Sequence, residues 1–301
     1  KCLNKKNKFT NIDIHSVSHI GIAAVKNLAI KITKTKYILF IDGDDTISED
    51  TISKLNKSIL SYNYDLVIFG INHINMKNEI SARLFHPELI CKSYSEMQNA
   101  VTSLWSADIM YSSCNKLYNI NIIESKNIRF PDKDFGEDLD FVCNYFLHCK
   151  SLHNIEECLY YYTQHRTNSL SKKYRSNIFE IRKYEHEYMN NFFNITKQTN
   201  TISQEFLAKR HIERIIGCIE SEASFYNKKC FYKKIKSINT IISDKYTIEC
   251  MKKVKIQGKK LKILSYPIKH QMPCLCFVFG LVMTIFRNVF PNIFLCLKAN
   301  R

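Results

Sequence analysis

The chain has 301 residues, 45% apolar and 24% charged, which excludes intrinsic disorder and allows one large domain or two ordinary ones. Lysine and arginine total 44 against 28 aspartates and glutamates, a net charge of +16 that suits nucleic acid, an anionic membrane or a phosphorylated substrate. The basic residues are spread along the chain, with pairs at Lys228-Lys229, Lys233-Lys234, Lys252-Lys253 and Lys259-Lys260 and no arginine-rich, zinc-finger or RNA-binding signature, so no nucleic-acid partner is expected. The twelve cysteines include no CxxC; free thiols in a reducing cytoplasm fit them better than a disulfide framework or a metal cluster.

Taken in order, Ile12-Asp13-Ile14-His15-Ser16-Val17 alternates like a short strand. Residues 21–32 read as a helix with Ile22, Val25, Ala29 and Ile32 on one face, which puts Lys26 and Asn27 either on a solvated side or at a phosphate. The run Tyr37-Ile38-Leu39-Phe40-Ile41 reads as a buried strand that stops at Asp42-Gly43-Asp44-Asp45. Acids just beyond a strand's C-terminal end sit where open α/β sheets bind ligands. Three crowded carboxylates repel one another, and their oxygens suit Mg²⁺ or Mn²⁺. The plainer alternative is an acidic loop leading into a helix through Ser48, Glu49 and Asp50.

A helix over Thr51–Tyr62, a fully apolar strand from Asp65 to Ile71, short strands within 78–90 and a helix over Tyr94–Trp105 follow, an alternation that predicts a layered α/β domain. Asn115-Lys116-Leu117-Tyr118 leads into a helix over about residues 119–126. Gly136-Glu137-Asp138 opens another helix running to Cys149, where acids favour the first turn whether or not they do chemistry. Cys158 to Thr163 reads as a strand, ending in a polar loop with His165 and Arg166. Beyond residue 172 the texture becomes helical and basic. The thirteen apolar residues Cys274–Phe286 are too few to span a bilayer; they suit either an interfacial segment on an anionic membrane or a buried helix.

The ordered set Gly21–Asn27, Tyr37–Asp45, Asn115–Tyr118, Ile128-Arg129-Phe130-Pro131, Gly136–Asp138 and Leu159–Tyr162 before Asn168–Ser171 resembles the bacterial family 2 glycosyltransferases. The resemblance covers about residues 1–172. It implies an α/β GT-A sheet, Rossmann-like, followed by a mostly helical region over 173–301. The activity it implies is inverting transfer of a sugar from a nucleotide diphosphate sugar, commonly a UDP-sugar, to a glycan or lipid-linked acceptor of the capsule or lipopolysaccharide type. By the same resemblance Asp42 lies by the nucleotide and Asp44, with Asp42, holds the divalent metal, with Asp45 beside it. Asp138 is the base and Glu137 positions the acceptor. Lys26 and Asn27 match the family's Ala-Arg-Asn turn, with lysine keeping the charge but not the bidentate fork. His165 or Arg166 falls where relatives close over the diphosphate. Family members begin with further strands that hold the base, so the resemblance implies an N-terminally incomplete domain.

Two other readings compete. Asp42-Gly43-Asp44-Asp45-Thr46 also fits the Asp-x-Asp-x-Thr pattern of haloacid-dehalogenase-like phosphatases, with Asp42 as nucleophile. A chain without its base-binding part also suits a non-catalytic scaffold. If Cys274–Phe286 is interfacial, the basic C-terminal half is expected to hold the protein at the inner face of the plasma membrane, with contact through residues 268–301.

Overall fold

The computed structural model describes residues 12–75, 77–133, 135–163 and 174–289. The α/β part comprises helix α1 (Ile22–Ile32), strands β1 (Tyr37–Leu39) and β2 (Thr46–Ile47), helix α2 (Thr51–Ser61) and strands β3 (Leu66–Ile74), β4 (Ile80–Leu84) and β5 (Leu89–Cys91). It continues with α3 (Tyr94–Ser106), β6 (Lys116–Asn119), α4 (Ile120–Ser125), α5 (Glu137–His148) and β7 (Leu152–Thr163). The rest is helical: α6 (Ile178–Ile195), α7 (Thr201–Ala223), α8 (Phe231–Ile242), α9 (Lys245–Lys253), α10 (Lys259–Lys269) and α11 (Pro273–Val289).

The strands form one mixed sheet in the order β1-β6-β3-β7-β2, with β4 added to β3 and β5 to β7. β3 and β7 run parallel, and the other pairings are antiparallel. β3 carries the apolar run Leu66–Ile71, buried throughout, as a central strand covered on both faces requires. The predicted helix at 94–105 starts at a proper cap, the Ser93 hydroxyl accepting from the Glu96 amide.

Several expectations are corrected. Ile12–Val17 forms no strand. β1 ends at Leu39, although Phe40 stays buried while Ile41 turns outward. Asn115–Tyr118 enters its helix through strand β6, and β7 begins six residues before Cys158. The face that α1 buries is Ala23, Lys26 and Ile30, whereas Ile22, Val25 and Ile32 are exposed. Apolar periodicity loses here to a charge, because the Lys26 ammonium is drawn inward to an internal carboxylate.

The boundary expected near residue 172 falls among residues outside the description. Helix α6 beyond it contributes Met189, Phe192 and Phe193 to the same core as the sheet. A second core joins Ile212 and Ile215 of α7 to Ile238 and Ile242 of α8, Ile268 of α10 and Cys276 of α11. α11 lies against α7 through small residues: the Thr284 hydroxyl donates to the Glu220 carbonyl at 3.5 Å, and Arg287 bonds the Glu220 carboxylate at 2.7 Å. The opposite face of α11 presents Val278, Val282, Ile285 and Val289 to the outside. No described helix is long and apolar enough to cross a membrane.

A Cβ at Gly280 would stand 2.9 Å from Ala223 Cβ and 3.0 Å from the Ile219 carbonyl oxygen. Gly280→Val should therefore prise α11 from α7 and destabilise the fold by about 1–3 kcal/mol, measured as a lower midpoint in denaturant titration.

Candidate active site

Five aromatic rings build the floor of the site. Phe130 stacks on Phe141 at 3.8 Å, Phe40 meets both edge-on at 5.3 and 5.9 Å, and Tyr118 contacts Phe141 at 5.3 Å and Tyr145 at 4.8 Å. Such edge and stacked contacts fix orientation as well as burying area. They lock together the end of β1, strand β6, the segment 128–131 and helix α5. Asp42 follows Phe40 by two residues and Asp138 precedes Phe141 by three, so the ring cluster brings the two acids to one place.

Asp138 sits in the first turn of α5, whose preceding Gly136 has a φ of 86° that a side chain would strain. Its Oδ1 accepts from the Lys26 ammonium at 2.8 Å and from the Ser113 hydroxyl at 2.8 Å. Oδ2 accepts from the Ser113 backbone N–H at 3.1 Å. Lys26 also donates to Ser113 Oγ at 3.1 Å. The lysine is only 7% exposed. Burial lowers its pKa, but the Asp138 charge, with Asp42 behind it, more than offsets this and raises it above the ordinary lysine value. Ser113 is the site residue that motif reading did not single out; its only signal was its place two residues before the Asn115–Tyr118 stretch.

The acidic cluster at the end of β1 divides. Asp45 is bound to β7: its Oδ2 accepts from the Tyr160 hydroxyl at 2.6 Å and its Oδ1 from the Thr163 N–H at 2.8 Å. The same Tyr160 oxygen accepts from the Asp42 N–H at 3.2 Å. Burial raises the Asp45 pKa against the pull of those bonds. Asp42 is raised too, first by burial and then by the Asp138 and Asp44 charges, with Lys26 and the Cys114 thiol opposing. Burial pushes that thiol up to about 12 with Asp42 adding to it, which keeps it a protonated donor. Glu137, next to Asp138, is raised by burial and by Asp138. The Asn27 amide bridges to the Phe130 backbone, donating to its carbonyl at 2.8 Å and accepting from its N–H at 2.9 Å. Asn27 thus clamps α1 to the segment beneath the site. His165 and Arg166 lie outside the described residues.

Lys26 is therefore one cation among Asp42, Asp138 and Glu137, and the carboxylates at this place outnumber it; burial first, and then the Asp138 charge, raise Asp42 and Glu137. A nucleotide diphosphate would meet repulsion there unless a cation came with it. Among the described residues no three His, Cys, Asp or Glu side chains are grouped to hold a metal by themselves. Mg²⁺ and Mn²⁺ sites that handle phosphates commonly use one or two carboxylates and complete the shell with phosphate and water. Asp42 and the exposed Asp44 fit that donor set, and Asp45, spent on Tyr160 and Thr163, does not.

A mixed sheet with the acids past β1 and a helix opening on Glu137 and Asp138 across from them fits the GT-A fold. The comparisons agree. Residues 5–124 match the family model for glycosyl transferase family 2. EpsH of Bacillus subtilis, named as a glycosyltransferase, is 26% identical over 165 residues, 53% of this chain and 46% of its own. The poly(ribitol-phosphate) beta-glucosyltransferase of Bacillus spizizenii is 26% identical over 161 residues, 52% of this chain and 24% of its own. Among solved structures, Staphylococcus aureus TarS 1-349 in complex with UDP-GlcNAc superposes with a TM-score of 0.60 at 18% identity, covering 92% of this chain and 77% of that one. The family match thus lies in the N-terminal part of the chain. The chain spans about half or less of the length of the curated relatives it matches.

The raised Asp42 carboxyl gives a stability prediction. The folded chain holds that proton more tightly than the unfolded chain, so the favourable contribution is complete below the ordinary value of 3.8 and is lost as pH rises through the folded value. Asp42→Asn should melt above the parent at pH 7–8 in chelator, and the gap should close as pH falls toward 4. Thermal scans across pH check it.

Proposed function

We propose that the chain transfers a sugar from a UDP-sugar to a hydroxyl of a surface-glycan acceptor, with inversion at the anomeric carbon. The observation that carries this is the Asp138 carboxylate, anchored by Lys26 and Ser113 beside Asp42. Both strong donors fall on Oδ1, while Oδ2 receives only the Ser113 N–H. Oδ2 thus keeps a lone pair for the acceptor's hydroxyl proton, and the anchored Oδ1 stops the carboxylate from turning away. Glu137, in the same first turn, would orient the acceptor. Lys26 spends two of its three N–H donors on Asp138 and Ser113, and the third suits an oxygen of the donor diphosphate.

Asp42 and Asp44 would hold Mn²⁺ or Mg²⁺, which when bound supplies Lewis-acid stabilisation of the departing diphosphate. In the phosphatase reading Asp42 attacks phosphorus, which leaves the buried Lys26–Asp138–Ser113 group without a task. The scaffold reading leaves that group's cost in buried charge unexplained. His165 and Arg166 would close over the diphosphate, and Asn27 and Asp45 would support the donor site through the bonds described. The acceptor is a glycan or lipid-linked chain of the capsule or lipopolysaccharide type, or a polyol phosphate polymer such as those in the names of relatives.

The enzyme would work at the inner face of the plasma membrane. Support comes from α11, whose apolar residues 278, 282, 285 and 289 fall on one outward stripe by helical spacing. Phe231 of α8, 61% exposed, meets Phe277 of α11 at 5.1 Å and is followed by exposed Tyr232 and Lys233. Apolar and aromatic side chains beside lysines are what an anionic interface selects.

Two results are expected. Calorimetry should show UDP binding that needs Mn²⁺ and is lost in Asp44→Asn, while Asp138→Asn binds UDP normally but loses about 10²–10⁴-fold in transfer from UDP-N-acetylglucosamine; metal-independent binding, or an active Asp138→Asn, would remove the proposal. Val282→Glu/Ile285→Glu should abolish salt-sensitive binding to phosphatidylglycerol vesicles, and undiminished flotation would count against the membrane contact.

A further inference from the structure

The Asn115–Tyr118 stretch contains a buried cation that the proposed chemistry does not use. Lys116 is completely buried. Its ammonium donates to the carbonyl oxygens of Ile109 and Ser112, both at 2.6 Å, and to Asn115 Oδ1 at 2.7 Å. Asn115 closes the same turn, its amide donating to the Phe69 and Ile109 carbonyls at 2.6 and 3.0 Å. Three acceptors need three N–H donors, and only the ammonium form has them. Burial pushes Lys116 down to about 7, with the Asp138 charge acting in the other direction. None of its three hydrogen-bond acceptors carries a charge, an arrangement a fold seldom keeps for stability alone.

One of those acceptors joins it to the site. The Ser112 carbonyl and the Ser113 N–H belong to one peptide unit. Lys116 grips the oxygen end of that unit and Asp138 Oδ2 accepts from the nitrogen end at 3.1 Å. A cation on the carbonyl polarises the peptide and strengthens its N–H as a donor. We propose that Lys116 is a positioning residue for sugar transfer, acting through the Ser112–Ser113 peptide to orient the Asp138 carboxylate and keep it ionised. The proposal rests on Asp138 being the base. The charged and titratable groups around Asp138 are Lys26, Asp42, Glu137, Cys114, Tyr118 and Lys116 itself. Lys26 touches Oδ1, whereas the lysine relay reaches Oδ2, the oxygen left to accept the proton.

The test uses the full chain as Lys116→Met, which removes charge and donors, and Lys116→Gln, which returns two neutral donors. UDP release from UDP-N-acetylglucosamine with Mn²⁺ is followed against pH. In parallel, the Asp138 carboxyl is titrated by ¹³C NMR with aspartate-selective labelling, assigned with Asp138→Asn. Expected are a loss in kcat of about tenfold or more with KM for the donor nearly unchanged, and an acid limb and an Asp138 midpoint that both move up by about one pH unit. A purely structural lysine would lower folded yield without moving either midpoint. An unmoved Asp138 midpoint, a change confined to KM, or failure of both variants to fold would overturn the proposal. Should the parent release no UDP, the transfer reading fails while the NMR arm still decides whether Lys116 governs Asp138.

Discussion

A buried lysine bonded to a carboxylate is the contact on which the site depends. Lys26 comes from α1, Asp138 from α5 and Ser113 from the loop before β6, and all three meet within 3.1 Å of one another. A charge pair away from water persists only if its remaining lone pairs and protons are matched. Ser113 does this with both its hydroxyl and its backbone N–H. The arrangement also explains the reversed face of α1: keeping Lys26 inward leaves Ile22, Val25 and Ile32 exposed, and the apolar pattern yields to the ion pair.

The helices after β7 are tied to this site. The guanidinium groups of Arg175 and Arg182 each lie 4.9 Å from the centre of the Phe135 ring, immediately before Gly136. Tyr184 and Tyr188 of α6 bond the Asp140 side chain and backbone at 3.1 and 3.3 Å, and Lys133 pairs with the same carboxylate. On the other side, Arg210 and Arg214 of α7 stand over the Tyr111 ring at 4.9 and 5.4 Å. Tyr111 belongs to the turn that Lys116 holds. The helical region thus braces both segments, the start of α5 that carries Asp138 and the loop that carries Ser113, and this shared contact gives it a structural part in the site.

Charge is distributed in opposition. The chain as a whole carries +16, yet the carboxylates beyond β1 and at the start of α5 outnumber the cation that faces them. Under the proposed function, a positive exterior would attract an anionic donor from a distance, while the negative interior would admit a diphosphate only with a counter-cation.

The local signals were legible in the chain. The run ending in Asp42-Gly43-Asp44-Asp45, the glycine before Glu137-Asp138 and the helical periods beyond residue 175 depend on neighbours in sequence, and each set its own element. The α/β class and the acids of the site follow from them. Other features were decided by residues far apart in the chain. Asp45 looked equivalent to Asp44 until β7 brought Tyr160 and Thr163 to it. Ser113 is an ordinary polar residue until α5 delivers Asp138 to its N–H. Lys26 reads as surface lysine or phosphate ligand, and only the approach of α5 makes it a buried ion-pair partner. Sequence patterns record which residues avoid water and which turns are possible; which polar groups meet after burial is set by the crossing of elements, and the chemistry depends on those meetings.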